Sequence, residues 1–142
     1  QDKRYFAAEK VYNTLLAQDP NNMKILNNYL ALLIEREHPE VVSKLKQLEE
    51  LNPKQAFIPS QIGIVLYRNK NFEDASKYFA KAVRLEPNNS GYIYHTAMAY
   101  ELAKRQVLAI NYYKMLSKFT LPTEYVPLTK AQLNKKIKLL QG

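Results

Sequence analysis

The side chains that most often carry catalysis or bind metal ions occur here without the arrangements that such chemistry requires. The 142-residue chain has two histidines, His38 and His95, and no cysteine. The lack of cysteine excludes disulfides, thiolate catalysis and sulfur-ligated zinc. No nucleophile or carboxylate is spaced to work with either histidine, so we interpret both as ordinary surface residues.

Metal and phosphate sites are not indicated either. Glu35 and His38 are three residues apart, a spacing found in metal-binding helix bundles, but no second pair repeats it. The three glycines, Gly63, Gly91 and Gly142, lie too far apart to form a phosphate-binding loop. We therefore expect no metal, no cofactor and no enzymatic activity in this segment.

The formal net charge of +8 and the eleven tyrosines raise the question of an anionic partner. Single-stranded nucleic acid is bound by aromatic side chains interleaved with basic ones, and the pair Tyr67-Arg68 resembles this arrangement. No basic cluster surrounds the pair, however, and lysines are scattered along the chain. Scattered lysine favours solubility and weak attraction to anions. Nucleic acid is therefore not the partner that we expect.

The composition, 46% hydrophobic and 24% charged, predicts a folded chain rather than a disordered one. Its length favours a single domain. No apolar stretch approaches the roughly 20 residues needed to span a bilayer, and no signal peptide is visible. Because the chain begins with Gln1 rather than methionine, a targeting segment can be missing. Both the cytoplasm and the bacterial periplasm or envelope stay open as locations.

Three prolines and one leucine recur along the chain at a nearly constant interval. They are Pro20, Pro53, Pro87 and Leu121, and each follows the one before it after about 34 residues. A fixed period of this size is typical of stacked helical repeats. The sequence therefore predicts one structural unit that is built several times.

Each of these four residues is preceded by the same pattern on one face of a helix. Twelve, eight and five residues earlier stand a small or medium residue, a bulky one, and another small or medium one. Spacings of four and three place them on one helix face, and the small residue lets a neighbouring helix approach closely. The residues concerned are Ala8, Tyr12 and Leu15; Val41, Leu45 and Leu48; Ala75, Phe79 and Ala82; and Ala109, Tyr113 and Leu116.

A first helix precedes this second helix in every complete unit. Links at residues 37–39, 69–71 and 104–106 separate the two helices, because Pro39 cannot lie inside a helix and Asn71 suits a turn or cap. The inward stripes of the first helices are Leu26, Tyr29, Leu30 and Leu33; Ile62, Gly63 and Leu66; and Ile93, Thr96, Ala97 and Tyr100.

This pattern resembles the tetratricopeptide repeat family. Residues 56–89 match it best, through Ile62, Gly63, Leu66, Phe72, Ala75, Phe79, Ala82 and Pro87. Residues 90–121 and 22–55 match in part, with Leu121 at the usual proline, Leu30 at the usual glycine and Val41 at the usual alanine. The resemblance implies an all-α fold in which antiparallel helix pairs stack into a right-handed superhelix, an α-solenoid.

We expect one domain over residues 1–142. Residues 2–21 form the second helix of an incomplete repeat, residues 22–55, 56–89 and 90–121 form repeats, and residues 122–142 form a capping helix. Thr129 and Gln132 fit a capping box, and the lysines that follow suit the polar outer face of such a lid. A phosphate-binding or membrane-binding surface is the alternative interpretation of these lysines.

The incomplete first repeat has a consequence for association. Helix 2–18 carries more apolar side chains than one side of a helix can hide, among them Phe6, Val11 and Leu15. Its first-helix partner is missing from the pattern. We therefore expect this helix to be covered by another chain, which means self-association, or by upstream sequence.

The resemblance places the first helices on the concave side of the stack, where a partner binds. Ile64, Tyr67, Tyr94 and Met98 are expected to form its apolar centre, with polar residues at the edges, and Arg68 is available to an acidic group on the ligand. The alternative is that Ile64 and Met98 only pack between neighbouring first helices and leave the tyrosines exposed. The candidate binding residues are Asn27, Ser60, Ile64, Tyr67, Arg68, Tyr94, His95 and Met98.

The expected function is a protein–protein interaction scaffold that binds a partner peptide or helix in this groove. Related proteins of pilus assembly or secretion in the bacterial envelope often have three or four such repeats. The clamp that holds chaperone carboxylates is not reproduced, because Asn27 and Ala31 stand where its lysine and asparagine would. A regulatory segment of a larger enzyme and a nucleic-acid-binding repeat are the alternatives.

Overall fold

The structure, a computed structural model, describes residues 2–36 and 41–142, so Glu37, His38 and Pro39 of the first predicted link lie outside the described residues. These two ranges contain eight α-helices and a short 3-10 helix, and they contain no strand. The all-α prediction is confirmed. The elements are α1 Asp2–Gln18, α2 Met23–Arg36, α3 Val41–Leu51, α4 Phe57–Arg68, α5 Phe72–Leu85, α6 Ser90–Leu102, α7 Gln106–Met115, the 3-10 helix Leu116–Lys118, and α8 Lys130–Gln141.

The chain divides into two compact units, Gln1–Pro53 and Lys54–Gly142. In the first unit, α1 packs against α2, and the predicted inward stripe of α2 is buried: Leu26, Tyr29, Leu30 and Leu33 are 4% exposed or less. The rings of Tyr12 and Tyr29 stack with their centroids 5.5 Å apart. The Glu9 carboxylate is also buried, and it accepts hydrogen bonds from the Lys44 ammonium group and, at 3.5 Å, from the Tyr29 hydroxyl. A charged pair thereby joins α1 to α3.

In the second unit, each helix packs against the next in the chain, from α4 to α8. Ala75 and Ala109, the small residues of the repeat pattern on α5 and α7, are both fully buried. A Cβ atom added to Gly63 would lie 2.7 Å from the Phe79 ring, so only glycine lets α4 lie this close to α5. The spacing of small and bulky residues read from the sequence therefore specifies how these helices pack.

The turns inside the two helix pairs of this unit have the same geometry. Lys70 and Lys104, which occupy equivalent positions in successive repeats, are both in the left-handed region, with φ of 62° and 64°. In each turn, the N–H of the next residue donates to a carbonyl five residues earlier: Asn71 to Leu66 and Arg105 to Tyr100, both at 2.9 Å. This hydrogen bond is the mark of a Schellman helix end. The repeat thus extends to the backbone of its turns.

Helix α8 closes the second unit. Its predicted capping box is present, because the Thr129 side chain accepts from the Gln132 N–H and the Gln132 side chain accepts from the Thr129 N–H. Leu133 is fully buried in the core that α6 and α7 form. On the same helix, the Lys136 ammonium group donates to Glu101 of α6 at 3.0 Å, and Glu101 also accepts from the Tyr113 hydroxyl of α7 at 2.7 Å. One carboxylate therefore ties three helices together.

The complete burial of the two alanines gives a first prediction. Replacing Ala75 or Ala109 with phenylalanine is expected to lower the free energy of unfolding by about 1–3 kcal/mol or more, because a ring must be forced into a fully packed site. Ala131 on α8 is exposed and serves as the matched control, where the same substitution should stay within about 0.5 kcal/mol. Thermal and urea unfolding measure the difference. Tolerance at both buried alanines would contradict the packing pattern.

Candidate polypeptide-binding groove

Helices α4 and α6 supply the candidate site because only part of each helix is used by the core. Ile62 and Gly63 of α4, and Ile93 and Ala97 of α6, are buried. Residues one or two positions further along the chain lie on another face, where spacings of three and four bring them together. These faces carry Ile64, Tyr67 and Arg68 on α4, and Tyr94, His95 and Met98 on α6.

The two faces enclose a cavity of about 340 Å³. It is lined by Ile64, Tyr67, Arg68, Phe79, Tyr94, His95 and Met98. Six of the eight residues predicted from the sequence therefore come together here. Ile64 and Met98 are half-buried, as are both tyrosines. Neither interpretation of Ile64 and Met98 holds alone, since both residues pack on the core and also line the cavity.

A second cavity, of about 310 Å³, lies beside the first. Ile64 and His95 line both cavities, so these two residues separate two parts of one groove along α4 and α6. The predicted residue Ser60 lies in this second part, where its hydroxyl donates to the Phe57 carbonyl at 2.6 Å. Asn27, the remaining predicted residue, is exposed on α2 in the other compact unit.

His95 is half-buried, so the interpretation of this histidine as a surface residue is wrong. Its ring lies 5.3 Å from the ring of Phe79 and 6.3 Å from that of Tyr94. Burial lowers the pKa of His95, and its Nδ1 atom is buried without a hydrogen-bond partner among the described residues. The imidazole is therefore neutral near pH 7, and it contributes mostly as an aromatic surface.

Tyr67 and Tyr94 are the two tyrosines that line the first cavity. The Tyr67 ring meets the rings of Phe72 and Phe79 edge-on, at 5.2 and 6.5 Å. Burial raises the pKa of Tyr67, and the Glu101 carboxylate raises it further. Burial also raises the pKa of Tyr94, while the Lys136 ammonium group opposes this effect. The ion pair that anchors α8 thus lies within electrostatic reach of the groove.

Charge is distributed unevenly between the two units. Residues 54–142 contain 14 lysines and arginines against five aspartates and glutamates, a formal net charge of +9. Residues 1–53 contain seven against eight, a net charge of −1. The whole positive excess of the chain therefore belongs to the unit that contains the groove, and Arg68 is an exposed cation in its lining.

Sequence reasoning missed several lining residues. Phe79 was assigned to the core, yet it also lines the first cavity. Phe57, Tyr92 and Tyr125 line the second cavity. Tyr92 carries a usable signal, since it lies three residues before His95 on the same face of α6. Tyr125 carries none, because it follows the last repeat and its position depends on how the chain returns to α8.

Two further features of the described residues bear on the chemistry of the site. Across residues 2–36 and 41–142, no three histidine, aspartate or glutamate side chains lie close enough together to hold a metal ion. In the same part of the chain, none of the helices has the length and apolar character needed to cross a bilayer. What the groove offers is an apolar surface with aromatic walls and a cationic edge, which suits the capture of bulky side chains.

Comparison with known proteins agrees with this architecture. Residues 60–89 match the tetratricopeptide repeat. The resemblance to this family that the sequence pattern indicates is therefore confirmed, and the stretch that matches the family lies in the repeat that was predicted to fit it best. The matched stretch runs from Ser60 in α4 to Asn89 before α6, so this repeat supplies one wall of the groove and Phe79.

Two known proteins resemble the chain over most of its length. The type IV pilus assembly protein PilF of Pseudomonas aeruginosa is 27% identical over 113 residues, which make up 78% of this chain and 45% of PilF. A solved structure of PilF from Pseudomonas aeruginosa gives a TM-score of 0.66 at 25% identity, covering 89% of this chain and 59% of that one. A crystal structure of MamA gives a TM-score of 0.66 at 18% identity, covering 99% and 88%, and this likeness concerns the fold alone. The chain thus spans less than half the length of PilF.

The environment of His95 gives a second prediction. Because the folded pKa lies below the unfolded value of about 6.5, the neutral ring contributes full stability above that pH. This contribution is lost as the pH falls from 6.5 through the folded pKa. Melting temperatures measured by circular dichroism between pH 7.5 and 5 should therefore fall less steeply for His95→Gln than for the wild type. Parallel curves for the two proteins would contradict the buried, neutral state.

Proposed function

We propose that this segment is a non-catalytic protein-interaction scaffold and that the groove between α4 and α6 binds a partner polypeptide. The supporting observation is the convergence of Ile64, Tyr67, Arg68, Tyr94, His95 and Met98 on one cavity. Large aromatic and methionine side chains provide contact area and adapt to varied ligands, and binding energy at protein interfaces concentrates on such anchors.

The relatives support an assembly role. PilF is named for type IV pilus assembly, and its similarity to this chain favours a comparable task in the bacterial envelope. We infer that the segment holds a component during assembly of a pilus or secretion apparatus. The same groove would also serve a regulatory segment of a larger enzyme, and the sequence of the full-length gene would distinguish the two. A nucleic-acid partner would reveal itself by a steep dependence of binding on salt concentration.

The third prediction tests the groove itself. The double substitution Tyr67→Ala/Tyr94→Ala is expected to weaken partner binding by about 1–2 kcal/mol or more for each ring removed. Both rings are half-buried and line the first cavity, so their loss removes anchors without emptying the main core. Partners retained by the immobilised wild type are first identified by mass spectrometry. The affinity of one purified partner is then measured for each variant.

The control for this experiment is Tyr112→Ala. Tyr112 lies on α7, is half-buried like the two groove tyrosines, and packs against the ring of Tyr100 at 5.6 Å. It lines neither part of the groove. Helicity and melting temperature are measured for both variants so that unfolding is recognised. A folded double variant that keeps every partner at full affinity would show that the binding surface lies elsewhere.

Self-association through α1 stays a prediction of this account. Leu15 is 37% exposed, whereas its repeat equivalents Ala82 and Leu116 are fully buried. Val11 on the same helix is 56% exposed. We infer that a second copy of the chain covers this apolar face, because the equivalent faces of the complete helix pairs are covered by a neighbouring helix.

A further inference from the structure

The two parts of the groove are close enough for one short ligand segment to fill both. Along α4, the first cavity is centred near Tyr67 and the second near Ser60 or Gln61. Along α6, the corresponding centres are near His95 and Tyr92. With a rise of about 1.5 Å per helical residue, the centres lie roughly 5–10 Å apart. In an extended chain, side chains on the same face are about 6.6 Å apart when they are two residues apart.

An extended ligand also suits the polar groups of the second cavity. A strand that lies alone has unpaired N–H and C=O groups, whereas a helix satisfies nearly all of its own. Gln61 and Asn89 bring side-chain amides to this part of the groove. The Asn89 oxygen accepts from the Tyr92 N–H, so its amide nitrogen is left to donate. These two amides can bond the main chain of an extended segment.

Tyr125 gives the second cavity its outer edge. It lies in the loop between the 3-10 helix and α8, and it is 62% exposed. The loop is fixed next to this residue, because Val126 is fully buried and its N–H donates to the Thr123 hydroxyl at 3.1 Å. Gly91 makes room for Tyr125, because an added Cβ there would lie 2.9 Å from the Tyr125 Cβ. An exposed aromatic is therefore held at the edge of the cavity.

The positive charge around the groove favours acidic residues on either side of the ligand's apolar side chains. The unit that contains the groove has a formal net charge of +9, and this field favours anions. Arg68 lies in the lining of the first cavity and is exposed. It takes part in none of the ion pairs that Arg105, Lys136 and Lys44 form with glutamates. A carboxylate next to the side chain in the first cavity would meet this guanidinium group.

On the basis of the proposed function, we propose that the groove recognises an acidic, extended polypeptide segment with two bulky apolar side chains two residues apart. One side chain fills the cavity beside Phe79 and Met98, and the other fills the cavity beside Phe57 and Tyr125. An aspartate or glutamate beyond the first side chain pairs with Arg68. Tyr125 determines specificity for the second side chain.

Synthetic peptides test this directly. The probes are twelve-residue chains of serine, glycine, aspartate and glutamate that contain one leucine, or two leucines separated by one to five positions. A matched set has lysine in place of every acidic residue. Isothermal titration calorimetry measures their affinities at constant ionic strength. Acidic peptides with leucines at positions i and i+2 should bind about tenfold or more tighter than the single-leucine peptide and than every lysine peptide.

Three variants assign the contributions, and a fourth serves as the control. Tyr125→Ala should reduce the gain from the second leucine to less than about threefold and leave the single-leucine peptide unchanged. Uncharged peptides are added to the set for the next comparison. Arg68→Gln should reduce the difference in affinity between acidic and uncharged peptides. Tyr67→Ala should weaken every peptide, because Tyr67 lines the first cavity. The control, Tyr112→Ala on α7, should leave all of these affinities unchanged.

The outcomes separate this inference from the proposed function. If peptides lose affinity with Tyr67→Ala but show no preference for the i and i+2 spacing or no effect of Tyr125→Ala, the groove binds polypeptide and the two-anchor inference is wrong. A preference for i and i+4 leucines would show a helical ligand and overturn the extended form. If no peptide binds at millimolar concentration, or if Tyr67→Ala has no effect, the inference is wrong, and the partner measurements with Tyr67→Ala/Tyr94→Ala decide the proposed function alone.

Discussion

The contact between Gly63 and the ring of Phe79 is the constraint on which the groove depends. The glycine lets α4 approach α5 until the ring fills the space that a side chain would need, and a Cβ atom at this site would lie 2.7 Å from it. The same ring contacts His95 of α6 and lies edge-on to Tyr67. Phe79 therefore fixes the distance between two helices of the core and also lines the first cavity. One side chain therefore takes part both in the packing of the core and in the candidate site.

The capping helix couples the stability of the second unit to the groove in a similar way. Glu101 is held by Tyr113 of α7 and by Lys136 of α8. It also acts electrostatically on Tyr67 and Tyr94, which line the first cavity. A lid on a repeat stack is needed to cover an apolar end. In this chain, the lid also sets the charge near one wall of the candidate site.

Much of the fold follows from the sequence because the repeat makes local and tertiary signals agree. The spacing of Ala75, Phe79 and Ala82 predicts a buried helix face, and all three are buried. The left-handed turn residues Lys70 and Lys104 carry no such signal, since lysine rarely adopts that conformation. Their geometry follows from the helix packing on both sides of the turn.

The candidate site could be predicted only in part. Residues on the free faces of α4 and α6 follow from the repeat register, and most of them meet in the first cavity. The burial of His95 could not be predicted from the sequence, because it depends on the position of the Phe79 ring in the packed structure. Tyr125 comes from a segment outside the repeat pattern, where no periodicity constrains the chain.

The most direct test of the central claim, that α4 and α6 bind a polypeptide between them, is site-specific photocrosslinking in the organism that makes the protein. p-Benzoylphenylalanine, which is close to tyrosine in shape, replaces Tyr94 in the groove or Tyr112 on α7 as the control. The account predicts that position 94 forms a discrete covalent adduct with another polypeptide, and that position 112 forms none. An excess of the protein without the photocrosslinking residue should reduce the adduct from position 94. Adducts from position 112 alone, or equal adducts from both positions, would contradict it.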